Sequence, residues 1–213
     1  DIARGLAYMM GFNLMVNFNL PYFATSPSDF WRRWHISLST WFRDYLYIPL
    51  GGNRGGNNAM RRNLLITMLI AGLWHGAGWN FVLWGLWHGV MLCLFSCITL
   101  PKRMQPVLGW LLTMIIVFYG WLLFRAQSMD QIMLLTSGLF TWSFPHWVGS
   151  YVLNLVVFMV PLLAMQVWQH RTNTIFPMLP HNRFIKAGLM AVGVCLIAVF
   201  WNAKGTPFIY FQF

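Results

Sequence analysis

Acidic side chains are nearly missing from this 213-residue chain, where Asp1, Asp29, Asp44 and Asp130 stand against 14 Lys and Arg. None lies in an apolar run, which excludes the paired carboxylates of glycosidases and a Ser-His-Asp triad. It also argues against a proton-coupled transporter, which needs intramembrane charge. Cysteine is as sparse. Cys93, Cys97 and Cys195 all sit in apolar runs with no CxxC or Cys/His pair at ligand spacing, so neither a disulfide framework nor a metal site is implied. The loop GGNRGGNNAMRRN has glycines but no GK[ST], and so is no nucleotide P-loop. No repeat is long enough for an inverted-repeat transporter.

Charged residues of both signs make up only 8% of the chain, whereas 58% is hydrophobic and 18% aromatic, with mean hydropathy +0.57. A soluble domain carries about a quarter charged residues, so this composition is that of a membrane protein. No Asp, Glu, Lys or Arg occurs from Asn63 to Pro101, Met104 to Phe124, Gln131 to His170 or Ala187 to Ala203. At roughly 20 apolar residues per crossing, these runs hold about four or five spans. The expected fold is all-α, a polytopic transmembrane bundle forming a single membrane domain over residues 1–213. The opening DIARGLAYMMGF has no initiator Met, basic start or signal cleavage site, and the chain reads as the carboxy-terminal part of a longer protein.

The net charge of +10 could point to nucleic acid, but its placement argues against such a partner. Arg32, Arg33, Arg43, Arg54, Arg61 and Arg62 fall in the one polar segment before the longest apolar run, as the positive-inside rule requires of a cytoplasmic loop. Within that loop Arg43, Arg54, Arg61 and Arg62 are candidates to hold the phosphates of a cytoplasmic cosubstrate.

Two segments depart from plain spans. Ser26-Pro27-Ser28-Asp29 is a helix start with a capping serine, a proline in the first turn and a capping-box acid. Helix should run from there to about Ile48. Its Phe30, Trp31, Trp34, Leu38, Trp41, Phe42 and Tyr45 share an arc about 120° wide opposite an Arg/Ser/Thr face, with His35 at the seam. Such a helix lies in the headgroup plane or lines a watery cavity. The uncharged run from Asn63 to Pro101 is 39 residues. As one helix it would be ~58 Å long, nearly twice a bilayer core. It must break, and Gly76-Ala77-Gly78 is the obvious place, leaving an arm of about 14 residues before it and a spanning arm, Trp79 to Pro101, after it. A broken helix is tolerated where its freed backbone lines an enclosed cavity.

The pentapeptide Gly-Leu-Trp-His-Gly occurs twice here, with His75 at the break and His88 inside the second arm. Both lie in GxxxG frames, which favour close helix packing. That packing accounts for His88. His75, at a helix end, is the functional candidate: a neutral imidazole in a poorly solvated place is a general base near pH 7. His35 is the best candidate for its polar partner.

The stretches FNLPYFATSPSDFWRRWHISLSTWFRDYLYIPLGGNR and LIAGLWHGAGWNFVLWGLWHG, then FRA at Phe124 to Ala126 and the closing FIYFQF, together resemble the membrane-bound O-acyltransferase family, in its bacterial branch typified by alginate O-acetylation. The resemblance implies a helical fold around a tunnel, with His75 as the catalytic histidine and His35 as its upstream partner. It further implies acetyl-CoA as donor substrate with no permanently bound cofactor. An exported polysaccharide is the implied acceptor, a periplasmic esterase-like acetyltransferase the implied partner, and the bacterial inner membrane the location. The competing expectation from another class is a non-catalytic transporter or assembly subunit of a glycan export complex.

Overall fold

A computed structural model describes residues 2–141, 148–174 and 182–199. Every regular element among them is a helix, as expected. The chain forms two compact units, residues 1–167 and 168–213.

In the first unit, α1 (Ile2–Met9) ends at Gly11, whose φ of 86° only glycine adopts without cost. The apolar segment that continues to Phe18 is not helical; residues 12–20 form an irregular strap. A 3₁₀ turn, Pro21–Phe23, leads into α2 (Pro27–Arg33). The cap of α2 is as expected: Ser26 Oγ accepts from the Asp29 amide at 3.1 Å, and the Asp29 carboxylate reaches Arg33 Nε at 3.0 Å. The helix does not run on to Ile48. It stops at Trp34–His35, where His35 adopts φ 44°, ψ 55°, and restarts as α3 (Ile36–Phe42), which winds into a π-helical turn, Arg43–Tyr47. The single amphipathic helix expected from the sequence is thus two short helices about a left-handed hinge.

The break in the 39-residue run falls where expected. Helix α4 (Gly56–His75) ends at the first histidine of the repeated pentapeptide and α5 (Trp79–Phe95) starts after only three intervening residues, so the two form an antiparallel hairpin whose turn is Gly76-Ala77-Gly78. The first arm is longer than the sequence indicates, at 20 residues, because helix starts in the glycine-rich loop and takes in Arg61 and Arg62. The second arm stops at Phe95 instead of Pro101 and is 17 residues long. Glycine lets the two backbones meet. A Cβ on Gly72 would overlap the Phe81 carbonyl, one on Gly85 the Met68 carbonyl, and one on Gly89 would lie 3.1 Å from Leu65 Cδ2. At the far end from the turn, Cys93 Sγ donates to the Arg61 carbonyl at 3.4 Å and Arg61 Nε to Ser96 Oγ at 3.4 Å.

A second π-helical turn, Gln105–Gly109, opens α6 (Trp110–Arg125). Helix α6 seals one side of the hairpin: Trp87 Nε1 donates to the Ile116 carbonyl at 2.9 Å, and the His88 ring fills the place a Cβ on Gly120 would take. Ser128 caps α7 (Met129–Gly138) on the Gln131 amide at 3.1 Å. Phe42, Met68, Ala71, Trp84, Leu123, Ala126 and Ile132 form one buried core and Ala24, Phe30 and Val117 another, which joins α2 to α6. Then comes α8 (Val148–Thr172), a 25-residue helix containing Pro161. In the second unit lies α9 (Arg183–Val199). Trp201, the expected end of the last span, and the closing FIYFQF lie outside the described residues. Among the described residues two helical segments, Gln105–Arg125 and Val148–Thr172, are long and apolar enough to cross a bilayer, and α5 is a shorter apolar helix.

The hairpin predicts its own sensitivity. Gly72→Ala and Gly85→Ala each force two backbones apart and should cost about 1–3 kcal/mol, read as a lower melting temperature of the purified full-length protein. Gly149→Ala on α8, whose added Cβ meets nothing within 4 Å, should be neutral by the same measurement.

Candidate functional site

His75 occupies the last residue of α4, and the extended backbone that follows turns the chain so that α5 passes back beside the imidazole. Trp84, about one and a half turns into α5 at 3.6 residues per turn, presents its ring edge-on to His75 with centroids 5.1 Å apart. Phe124 of α6 closes another side at 5.1 Å, nearly perpendicular, and Phe81 stacks obliquely at 6.3 Å. The position of Phe124 is fixed through its backbone, whose carbonyl accepts from Asn80 Nδ2 at 3.3 Å. Ala126, the last residue of the FRA motif, is buried in the same core. His75 itself stays half-buried.

His35 lies at the hinge between α2 and α3, not at the seam of a continuous helix. Its Nδ1 is buried and makes no hydrogen bond among the described residues, and burial pushes its pKa below the usual imidazole range, so the neutral form prevails at neutral pH. A chain of aromatic rings leads from one histidine to the other. Trp84 meets Trp31 of α2 at 5.7 Å, Trp31 meets Phe30 at 5.6 Å, Phe30 stacks on Trp34 at 5.6 Å, and Phe18 packs against Trp34 at 4.8 Å and His35 at 5.9 Å.

His88 is 3% exposed and lies in edge contact with Trp84 at 5.0 Å and Trp31 at 5.1 Å. It is a packed residue, as its GxxxG frame indicates, but it packs against the same two tryptophans that wall the His75 site. Those tryptophans escape a reading of the sequence. Among 13 tryptophans nothing marks Trp31 or Trp84 except that the Trp31 position shares the α2 face with Phe30 and Trp34.

The four arginines lie apart from the histidines. Arg54 is exposed in the glycine-rich loop, and Arg62 donates to Asn63 Oδ1 at 3.2 Å while Asn63 Nδ2 ties that loop down through the Gly52 carbonyl at 3.0 Å. Arg61 sits at the open end of the hairpin, fourteen residues from His75 along α4, or about 21 Å at 1.5 Å per residue. Arg43 is engaged by Asp44 at 2.7 and 3.2 Å, so an anion binding there displaces a carboxylate. Among the described residues no group of three His, Cys or acidic side chains could hold a metal ion.

These features define a membrane-embedded helical protein with an imidazole at the turn of a broken helix. The chain belongs to the membrane-bound O-acyltransferase family, whose model matches residues 1–139. It is 49% identical over 153 residues to the Azotobacter vinelandii protein named "Probable alginate O-acetylase AlgI", covering 70% of this chain and 30% of that one. The peptidoglycan O-acetyltransferase of Helicobacter pylori is 42% identical over 144 residues, covering 65% of this chain and 27% of its own length. The teichoic acid D-alanyltransferase of Bacillus subtilis is 28% identical over 141 residues, covering 59% and 36%. The chain thus spans about a third or less of the length of the curated relatives it matches.

The left-handed backbone at His35 gives a test independent of activity. His35→Gly and His35→Asn tolerate φ 44° and should melt near the parent. His35→Val should lose about 1–2 kcal/mol more than either, because a β-branched side chain is an outlier there. Equal melting temperatures for the three variants would contradict the hinge.

Proposed function

We propose that the full-length protein is a membrane O-acyltransferase that moves an acetyl group from cytoplasmic acetyl-CoA across the bacterial inner membrane to hydroxyls of an exported, alginate-type polysaccharide. The observation that carries this reading is the placement of His75 at the hairpin turn, walled by Phe81, Trp84 and Phe124. The similarity to an alginate O-acetylase and a peptidoglycan O-acetyltransferase supports acetyl as the group and a glycan as the acceptor class.

In this reading His75 accepts the proton of the attacking hydroxyl, whose oxygen adds to the thioester carbonyl. The tetrahedral intermediate collapses with cleavage of the C–S bond, and His75 returns the proton to the departing CoA thiolate. The hydroxyl belongs to the polysaccharide itself or to a periplasmic esterase-like partner that relays the acetyl group. His35 orients His75 or polarises the acyl carbonyl. The aromatic wall keeps water from the thioester. Arg54, Arg61 and Arg62 hold the donor's phosphates at the open end of the hairpin, with Arg43 available once Asp44 is displaced. Their separation from His75 suits a donor whose reactive thioester sits at the end of a long, thin pantetheine arm.

Acetyl transfer by the purified full-length protein, measured per folded molecule, tests each role. His75→Gln should abolish transfer with little change in melting temperature, whereas His88→Gln should melt lower and keep appreciable specific activity. A folded, inactive His88→Gln beside an active His75→Gln reverses the assignment. Neutralising Arg54, Arg61 and Arg62 together should raise KM for acetyl-CoA by roughly tenfold or more, since charge-assisted phosphate bonds contribute about 1.5–3 kcal/mol each. An unchanged KM removes these arginines from the donor site.

A further inference from the structure

Residues 27–48 carry the apolar periodicity of one uninterrupted helix, yet the chain breaks at His35 in a backbone conformation unfavourable to a non-glycine residue. Something must outcompete the helical bonds that would cross the hinge. In a continuous helix the Ile36 amide would donate to the Arg32 carbonyl and the Ser37 amide to the Arg33 carbonyl. The strap upstream intercepts them. The Asn17 carbonyl accepts from the Ile36 amide at 2.9 Å, and the Arg33 carbonyl accepts instead from the Asn19 amide at 2.9 Å. Asn17 Oδ1 accepts from both the Ser37 amide and the Ser37 hydroxyl, at 3.0 Å each. The Trp34 carbonyl, at the hinge itself, accepts from Ser39 Oγ at 3.0 Å.

The consequence falls on His35. It stands at the N-cap of α3, where a side chain ordinarily folds back to accept from the first-turn amides, and its own side chain makes no such bond. Asn17 performs that capping from twenty residues away, which leaves the imidazole unengaged by its own helix. Phe18, held between Asn17 and Asn19, packs edge-on against Trp34 at 4.8 Å and against the His35 ring at 5.9 Å.

We propose that Asn17 is a positioning residue for His35: by capping α3 in trans and blocking the helix from closing through the hinge, it holds the His35 imidazole in its place against Phe18, at the end of the ring chain that leads to His75. This rests on the reading of His35 as the partner of His75 in acyl transfer. Asn17 touches no reacting atom, and its whole effect passes through His35.

The test is a double-mutant cycle on the full-length protein, with kcat and KM for acetyl transfer measured per folded molecule for Asn17→Ala, Asn17→Asp, His35→Ala and the pair Asn17→Ala/His35→Ala. Asn17→Ala should lower kcat by about tenfold or more, the scale of a misplaced catalytic group, with KM for acetyl-CoA nearly unchanged. Asn17→Asp, whose carboxylate accepts the same two Ser37 bonds, should recover most of that loss. In the His35→Ala background Asn17→Ala should lower kcat no further. Should Asn17→Ala fail to fold, Ser37→Ala removes only the hydroxyl bond. It should lower kcat by roughly twofold to fivefold, as expected for one neutral hydrogen bond, and should have no effect in the His35→Ala background. Normal kcat in Asn17→Ala, or additive losses in the double variant, overturns the positioning role while leaving that of His35 intact. Full turnover by His35→Ala overturns the role of His35, and the inference with it.

Discussion

The close backbone approach between α4 and α5 at Gly72, Gly85 and Gly89 is the constraint on which the rest depends. Without side chains there, the two arms pack near the limit of helix–helix contact, and the three-residue turn between them needs no loop. That closeness brings Trp84 beside His75 and leaves α6 room to bring in Phe124. It also directs His88 into Gly120, so the hairpin and α6 are keyed together by one buried imidazole while the other imidazole stays at the turn.

A second constraint acts at right angles to the first. The α2–α3 hinge delivers His35 from a separate part of the chain, and Trp31 locks α2 against both Trp84 and His88. The two histidines are therefore held by separate elements, a hairpin and a strapped hinge, with aromatic rings packed between them. Acidic residues play no part in this arrangement, in keeping with their absence from the apolar runs.

Much of this was legible in the sequence. The uncharged runs marked the apolar helices, although only two of those among the described residues are long and apolar enough to cross a bilayer; Ser26 marked the start of α2, and the 39-residue run had to break near Gly76 because no bilayer holds a helix of that length. What stayed hidden was hidden for physical reasons. The hinge at His35 runs against local periodicity and is imposed by hydrogen bonds from Asn17 and Asn19, a tertiary effect that no window over residues 27–48 contains. The start of α4 in a glycine- and asparagine-rich loop was missed because those residues are poor helix formers, and the buried Asn63 holding Gly52 has no sequence signature. Trp31 and Trp84 were lost among many other tryptophans for want of any pattern that would separate a wall from a lipid-facing ring.

The closed α4–α5 hairpin is open to direct measurement by thiol accessibility in intact cells. Asn57 and Thr99 flank its open end and are both exposed, whereas Ala77 sits at the turn. In a cysteine-free background of the full-length protein, Asn57→Cys and Thr99→Cys should react alike with a membrane-impermeant maleimide. Both should be protected until the membrane is permeabilised, and Ala77→Cys should not be labelled from that same side. Labelling of Asn57→Cys and Thr99→Cys from opposite faces of the membrane would mean that the arms do not fold back on each other, and the placement of His75 at a turn would be wrong.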